Sequence, residues 1–243
     1  MIPSWMTSKS IHKSSHSWIA TPGGPDTRRP GQVSGSDDER QHTKPQHSGA
    51  VVLSFDVEEH HRIEAAAKLD CPAELRAIYA NRMEATTEAI LERLSAADVK
   101  ATFFIVGEIA RSHPGLIRRI AADGHEIGSH SWDHRRVHRF TPASFWDDLR
   151  RSVSVLEDVS GTAVAGYRAP TFSVMRSTAW AVDVLAAAGL RYDSSIFPVR
   201  HDRYGVPDAP RVPFLATGQQ ASILEIPPAT WRVLGQNLPV AGG

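Results

Sequence analysis

The chain has 243 residues, 41% apolar and 22% charged, with 27 basic against 27 acidic side chains and one cysteine. A net charge of zero offers no broad attraction to nucleic acid or an anionic membrane. One cysteine excludes an internal disulfide framework and any multi-cysteine zinc site, so a metal here needs His and carboxylate ligands.

No apolar run approaches the roughly 20 residues of a bilayer span. The N-terminus, from Met1 to Ala20, lacks the continuous apolar stretch of a signal peptide, so a soluble, cytoplasmic protein is the expectation. Residues 1–49 contain only nine apolar side chains among many Ser, Gly, Pro and His. Such a segment cannot bury enough apolar surface to offset its ordering entropy and is expected to be disordered. The folded body is expected over residues 50–243.

From Ala50 the pattern alternates strand and helix. Ala50–Phe55 is a short apolar run ending in acids, a buried strand. Asn81–Ala97 puts Met83, Ile90, Leu91 and Leu94 on one helical stripe. Ala101–Val106 is a second buried strand, stopped by Gly107, and Pro114–Ala122 is a short helix closed by Gly124. His125–Gly128 reads as strand. Thr141-Pro142 is an N-cap with proline at the first helical position, opening a helix to Ser160 that Gly161 closes. Val164–Arg168, Arg191–Ile196 and Ser222–Ile226 read as strands, and Ser177–Ala188 as a helix capped by Gly189. This alternation gives the α/β class, a parallel sheet or barrel whose reactive groups sit at the C-terminal strand ends.

Titratable groups gather there. The first strand ends in Asp56-Val57-Glu58-Glu59, the third runs into His130-Ser-Trp-Asp-His134, another ends in Tyr167-Arg168-Ala-Pro170, and the next reaches Asp193. His130 and His134 lie on the same face if the segment is a helical turn, and a first-strand carboxylate would complete three ligands of a metal with one open position. Two histidines four apart also occur by chance on a solvated helix, and five of the 12 histidines fall between His113 and His138. Asp56 and Glu58, alternate residues of a strand, can face one site as metal ligand and general base, or be solvated acids at a strand end. Arg168 can orient such a base or serve as a structural ion-pair arginine.

Ser54-Phe-Asp-Val-Glu58, Ala101-Thr-Phe-Phe-Ile-Val-Gly107, Gly124-His-Glu-Ile-Gly-Ser-His-Ser-Trp-Asp-His134 and Gly166-Tyr-Arg-Ala-Pro170 together resemble the NodB-homology polysaccharide deacetylases, carbohydrate esterase family four. With Glu225-Ile-Pro-Pro and the stretch Leu234–Gly243, the chain is most similar to the branch linked to exopolysaccharide and exosortase gene clusters. The resemblance implies a distorted, incomplete (β/α) barrel of about seven strands holding a divalent metal, usually zinc. By position it implies Asp56 as catalytic base, held by Arg168. The metal carboxylate would be Glu58, with Glu59 as the fallback, beside His130 and His134. Pro170 and Phe172 would form one groove wall and Trp132 would line the groove. Asp193 matches a family motif whose acid orients a catalytic histidine.

That histidine, the general acid of the family, comes late in the chain. After Asp193 the one histidine is His201, in an irregular Arg-His-Asp-Arg-Tyr-Gly context, and the chain stops at Gly243 inside what resembles a Gly-rich stretch. Either the domain is C-terminally truncated, which is the expectation, or His201 or water must protonate the leaving amine. The implied activity removes N-acetyl groups from amino sugars of a polysaccharide or oligosaccharide and releases acetate. The competing readings are a non-catalytic carbohydrate-binding relative and a metal-dependent amidohydrolase acting on a non-sugar amide. His60 and His61 read as loop surface, Trp146 as core, Trp231 and Tyr204 as ordinary loop aromatics with sugar stacking as the alternative, and Cys71 as a small apolar residue.

Overall fold

The computed structural model describes residues 51–63 and 70–240; the expectation for residues 1–49 lies outside them. Seven strands form the main sheet: β1 (Ser54–Val57), β2 (Thr102–Ile105), β3 (Glu126–Ser129), β4 (Gly166–Tyr167), β5 (Tyr192–Asp193), β6 (Phe214–Thr217) and β7 (Ser222–Glu225). Their spatial order is β1-β2-β3-β4-β5-β7-β6, with every pairing parallel except β6 with β7. The first five strands are added in sequence order without a reversal, wound as in a (β/α) barrel, and β7 then joins β5 with β6 antiparallel at its outer side. Here β1 and β6 do not pair, so the ring stays open.

Five α-helices connect and cover the strands: α1 (Ala73–Ala96), α2 (Gly107–Ser112), α3 (Pro114–Ala122), α4 (Pro142–Ser160) and α5 (Trp180–Ala187). The expected start of α4 is present in full: Thr141 and Ser144 form a reciprocal capping box, Pro142 takes the first position, and Gly161 closes the helix at φ 70°. The core between helices and sheet contains Phe103, Ile105, Ile109, Ile117, Phe145 and Leu149, all without exposed surface. Among the described residues no helix is long and apolar enough to cross a membrane.

Three elements depart from the sequence expectation. β2 ends before Gly107 as expected, but Gly107 also begins α2, which was not anticipated, and it packs so closely on Trp132 that a Cβ there would come within 2.8 Å of the indole. Strand β6 was not anticipated. Nor was the hairpin of β8 (Thr230–Val233) and β9 (Gln236–Pro239), whose turn places Leu234 at φ 48°. A leucine in that conformation hides a turn that Asn-Gly would advertise.

The inner face of the sheet is filled by rings. Phe104 and Tyr192 meet edge to face at 6.4 Å, and the backbone of β4 runs so close that a Cβ on Gly166 would lie 2.2 Å from Tyr192 Cζ. The tyrosine cannot swing aside freely, since its hydroxyl donates to Glu126 Oε2 at 2.9 Å. Gly166→Ala should therefore overpack this layer and cost about 1–3 kcal/mol of stability, read as a lower urea midpoint with an unchanged m-value.

Candidate metal and catalytic site

The C-terminal ends of β1, β3 and β4 converge on one cavity of about 490 Å³, a size that suits a small ligand or a segment of a larger one. β1 delivers Asp56 and, one residue past its end, Glu58. His130 and His134 follow β3, but not on the expected helical turn. They sit on an irregular loop in which Ser131 and His134 take left-handed backbone angles, φ 67° and 63°. This loop reversal brings the two rings to 5.0 Å between centroids. Backbone N–H groups of Gly107 and Glu108 anchor it by donating to Ser131 O and Trp132 O at 3.0 and 2.9 Å. The Trp132 N–H donates to Asp148 Oδ2, whose pKa burial pushes up to about 6.

One ligand atom from each of Glu58, His130 and His134 lies within 4.8 Å of the others. Each imidazole is aimed by its far nitrogen. His130 Nδ1 donates to Arg168 O at 2.8 Å, and His134 Nδ1 donates to Arg62 O at 2.8 Å. A carbonyl only accepts, so Nδ1 carries the proton and Nε2 of the neutral ring presents a lone pair to the group. Glu58 Oε2, buried and without a hydrogen-bond donor once that ring is neutral, lies 2.5 Å from His134 Nε2. Two electron-rich atoms at that separation need a cation or proton between them.

The electrostatics point the same way. Burial is the largest influence on His130 and pushes its pKa down, keeping the ring neutral. Burial works to raise Glu58, but the nearness of His134 and His130 outweighs it and holds the carboxyl below its ordinary value. A neutral imidazole pair and an ionised carboxylate are the forms that bind a metal, and outer partners on Nδ1 are the usual means of fixing such ligands. The donor set fits a divalent cation that accepts nitrogen and oxygen.

Glu59 does not join this set. It is buried and pairs with the Arg62 guanidinium, which also donates to Glu108 Oε2 at 2.8 Å. Glu59 thus fixes the residue whose carbonyl holds His134. His60 and His61, in the short 3-10 turn His60–Arg62, lie near the Tyr79 ring and outside the group.

Asp56 borders the same cavity. Its Oδ1 accepts from Arg168 Nη1 at 2.9 Å, while Oδ2 lies 3.9 Å from His130 Nε2. Arg168 is spent on orientation: it also donates to Ser54 Oγ (2.9 Å), Ser194 Oγ (2.8 Å) and Ser194 O (3.1 Å), and its guanidinium stacks 4.2 Å from the Phe104 ring. Ser54 and Ser194 carried no signal in the sequence beyond their neighbours.

The remaining wall differs from expectation. Phe172 lines the cavity, whereas Pro170 is buried behind it at the start of the turn Pro170–Phe172. Trp132 does not line the cavity. Its ring packs on Gly107 and lies 3.6 and 5.2 Å from the guanidinium carbons of Arg151 and Arg111, on the helix side. Asp193 is fully buried behind Arg168, and no histidine is among its partners.

The loop after β5 instead contributes His201, Arg203 and Tyr204. His201 stacks on Tyr204 at 4.0 Å, and Tyr204 and Phe172 pack with Phe197 as a small aromatic cluster. The density of rings at 197, 201 and 204 was the available signal for this wall; no motif spacing marked it.

A family profile described as polysaccharide deacetylase matches residues 44–192, more than half of the sequence. The chain belongs to the polysaccharide deacetylase family. Residues 194–243 match a second family described as a domain of unknown function, DUF3473. Among curated proteins, the chain is 30% identical over 106 residues to a Listeria monocytogenes peptidoglycan-N-acetylglucosamine deacetylase, covering 40% of this chain and 23% of that protein. It is 29% identical over 102 residues to a Bradyrhizobium chitooligosaccharide deacetylase, 42% of this chain and 44% of the relative. The matches thus span less than half the length of these relatives. A crystal structure described as a putative polysaccharide deacetylase from Mycobacterium smegmatis superposes with a TM-score of 0.57 at 27% identity, over 72% of this chain and 57% of the other.

If Glu58 rather than Glu59 holds the cation, Glu58→Gln and His134→Ala should each weaken Zn²⁺ binding by more than about 100-fold, beyond the usual loss for an outer partner. Glu59→Gln should keep it within about 10-fold on the same scale. Calorimetric titration of the metal-free proteins checks this.

Proposed function

We propose that this deacetylase-family chain hydrolyses the N-acetyl group of amino sugars in a polysaccharide or oligosaccharide, releasing acetate and a free amine. The observation that carries the reading is Asp56, locked at one oxygen by Arg168 and set beside the Glu58, His130 and His134 group in a single cavity. A binding protein needs the cavity but has no use for an oriented, unblocked carboxylate at the cation group, which disfavours the non-catalytic alternative.

Glu58, His130 and His134 would hold a divalent cation, with zinc as the best match to the ligand types. Bound there, such a cation supplies Lewis-acid polarisation of a carbonyl and acidification of water. The chain's own groups do the rest. Arg168 occupies Asp56 Oδ1, so Oδ2 is the atom left to take a proton from an attacking water. His130 and His134 keep their Nδ1 protons on backbone carbonyls and do not exchange them during turnover.

The departing nitrogen must be protonated, because an amide anion is a very poor leaving group. Among the described cavity residues His201 is the histidine outside the cation set, and we assign it this role. As an imidazolium, His201 would direct its Nδ1 proton to Asp202 Oδ1, 2.9 Å away, in place of the Arg203 N–H that Nδ1 otherwise accepts (3.2 Å), and Nε2 would carry the proton to be transferred. Phe172 and Tyr204 give the cavity apolar ring surface against which a sugar can lie.

Acetate release from N-acetylglucosamine oligomers by the zinc-loaded chain tests the reading. Asp56→Asn should retain zinc and lose about 10²–10⁴-fold in kcat; full activity in that variant would remove Asp56 as the base. His201→Gln should lower amide hydrolysis by about 10²-fold or more and leave hydrolysis of an aryl acetate, whose phenolate departs without a proton, close to wild type. Equal loss on both substrates would show a positioning role for His201 instead.

A further inference from the structure

Behind Arg168 lies a second pair of acids that the proposed chemistry does not use. Asp193 at the end of β5 and Glu225 at the end of β7 are register partners on adjacent parallel strands, and neither exposes any surface. One oxygen of each is satisfied: Asp193 Oδ1 accepts from the Ser194 N–H (2.9 Å) and the Ser195 hydroxyl, and Glu225 Oε1 accepts from the Ile196 N–H (3.0 Å). The other oxygens, Asp193 Oδ2 and Glu225 Oε2, are buried with no donor. Two bare carboxylates cannot stay side by side in a dry site; sharing one proton removes the conflict.

The proton belongs on Glu225. Burial, then the Asp193 charge, raises Glu225 well above the ordinary carboxylate range, whereas Asp193, raised by burial to about 6, is held down by donors that include Ser195 and Glu225 itself. The charged and titratable groups facing the pair from β4 are Arg168, which favours the ionised form of both acids, and the buried Tyr167 hydroxyl.

From this pair a chain of contacts leads to the base. Asp193 holds the Ser195 hydroxyl, which accepts the Ala169 N–H at 2.7 Å. Ser194, tied to Asp193 and to Ile226 O beside Glu225, presents its hydroxyl and carbonyl to Arg168. Arg168 in turn fixes Asp56. We propose that Glu225 is a positioning residue: as a neutral acid it donates to Asp193 and so holds the turn of residues 193–196 that seats Arg168 against the base.

The sign follows from the raised pKa. Near neutral pH the pair carries its one proton and the seat is intact. As pH rises through the folded-state value, the second carboxylate forms, the strand ends repel, and Arg168 loses its anchors. The activity readout rests on the deacetylase reading, so a second readout stands apart from it. Infrared difference spectra of the zinc-loaded chain should show a protonated carboxyl stretch at neutral pH that Glu225→Gln removes and alkali abolishes.

In acetate-release assays across pH, Glu225→Ala should retain zinc yet lose kcat by about 10²-fold, the size of effect that a small misplacement produces, with KM little changed. Glu225→Gln, a permanent donor, should rescue kcat and move the alkaline limb upward by at least about one pH unit. If Glu225→Ala fails to fold, the Glu225→Gln profile and the infrared band still decide. An unchanged alkaline limb in Glu225→Gln, or a carboxyl band that survives it, overturns the proposal. Absence of acetate release from wild type with the band present would overturn the deacetylase reading and leave the shared proton standing.

Discussion

Arg168 carries a guanidinium with five donors into a place where its side chain is only 9% exposed. A buried cation is tolerated only when its donors are answered and its charge is balanced. The answers come from separate parts of the chain: Asp56 and Ser54 on β1, both the hydroxyl and carbonyl of Ser194 after β5, and the face of Phe104 on β2. Satisfying this one group therefore fixes the mutual placement of strands that share no direct pairing. Because the Arg168 carbonyl also accepts from His130, the same residue aligns Asp56, the proposed base, with its side chain and His130, a proposed cation ligand, with its backbone. Base and ligand geometry are not independent in this fold.

The metal group follows a complementary logic. Its acidic and basic members are unremarkable singly; what defines the site is that every far nitrogen is already occupied. Arg62 contributes only a carbonyl, but its guanidinium must be held by Glu59 and Glu108 for that carbonyl to stay in place. Three outer side chains, Arg62, Glu59 and Glu108, thus stand behind the group of Glu58, His130 and His134. The cavity wall is built differently, from stacked rings at Phe172, Phe197, Tyr204 and His201, and packing rather than hydrogen bonding sets its shape.

Much of this was legible in the sequence because it depends on local rules. The β1 and β2 runs, the capped helix α4 and the clustering of acids and histidines at strand ends follow from period, caps and topology. Glu58, His130 and His134 could be named as a candidate group, but not their arrangement: a left-handed Ser131 and His134 replace the expected helical turn, and no residue type demands that conformation there. Trp132 was misplaced because an aromatic inside a motif gives no sign of which side it faces; Gly107, the vacancy it fills, was read as a strand stop. Ser194, Ser195 and Glu225 stayed hidden since their importance comes from contacts across strands, and a serine or a lone acid has no periodic signature.

The separation in sequence of these contacts has a further consequence. Arg168 and Asp56 are 112 residues apart, and the Arg62 carbonyl and His134 are 72 apart. Both contacts end on β1 or the turn just after it, and among the described residues β1 is an edge strand paired only with β2. Closing loops of that length is entropically costly, and sheet edges are natural places for opening short of global unfolding. An opening of that edge would carry Asp56 and Glu58 away together and leave His130 and His134 with the body. A cation that binds only the closed form counteracts this opening by mass action, by about 2.7 kcal/mol at a concentration 100 times its dissociation constant. The ion would then act as a clasp on the open side of the barrel as well as a reagent within it.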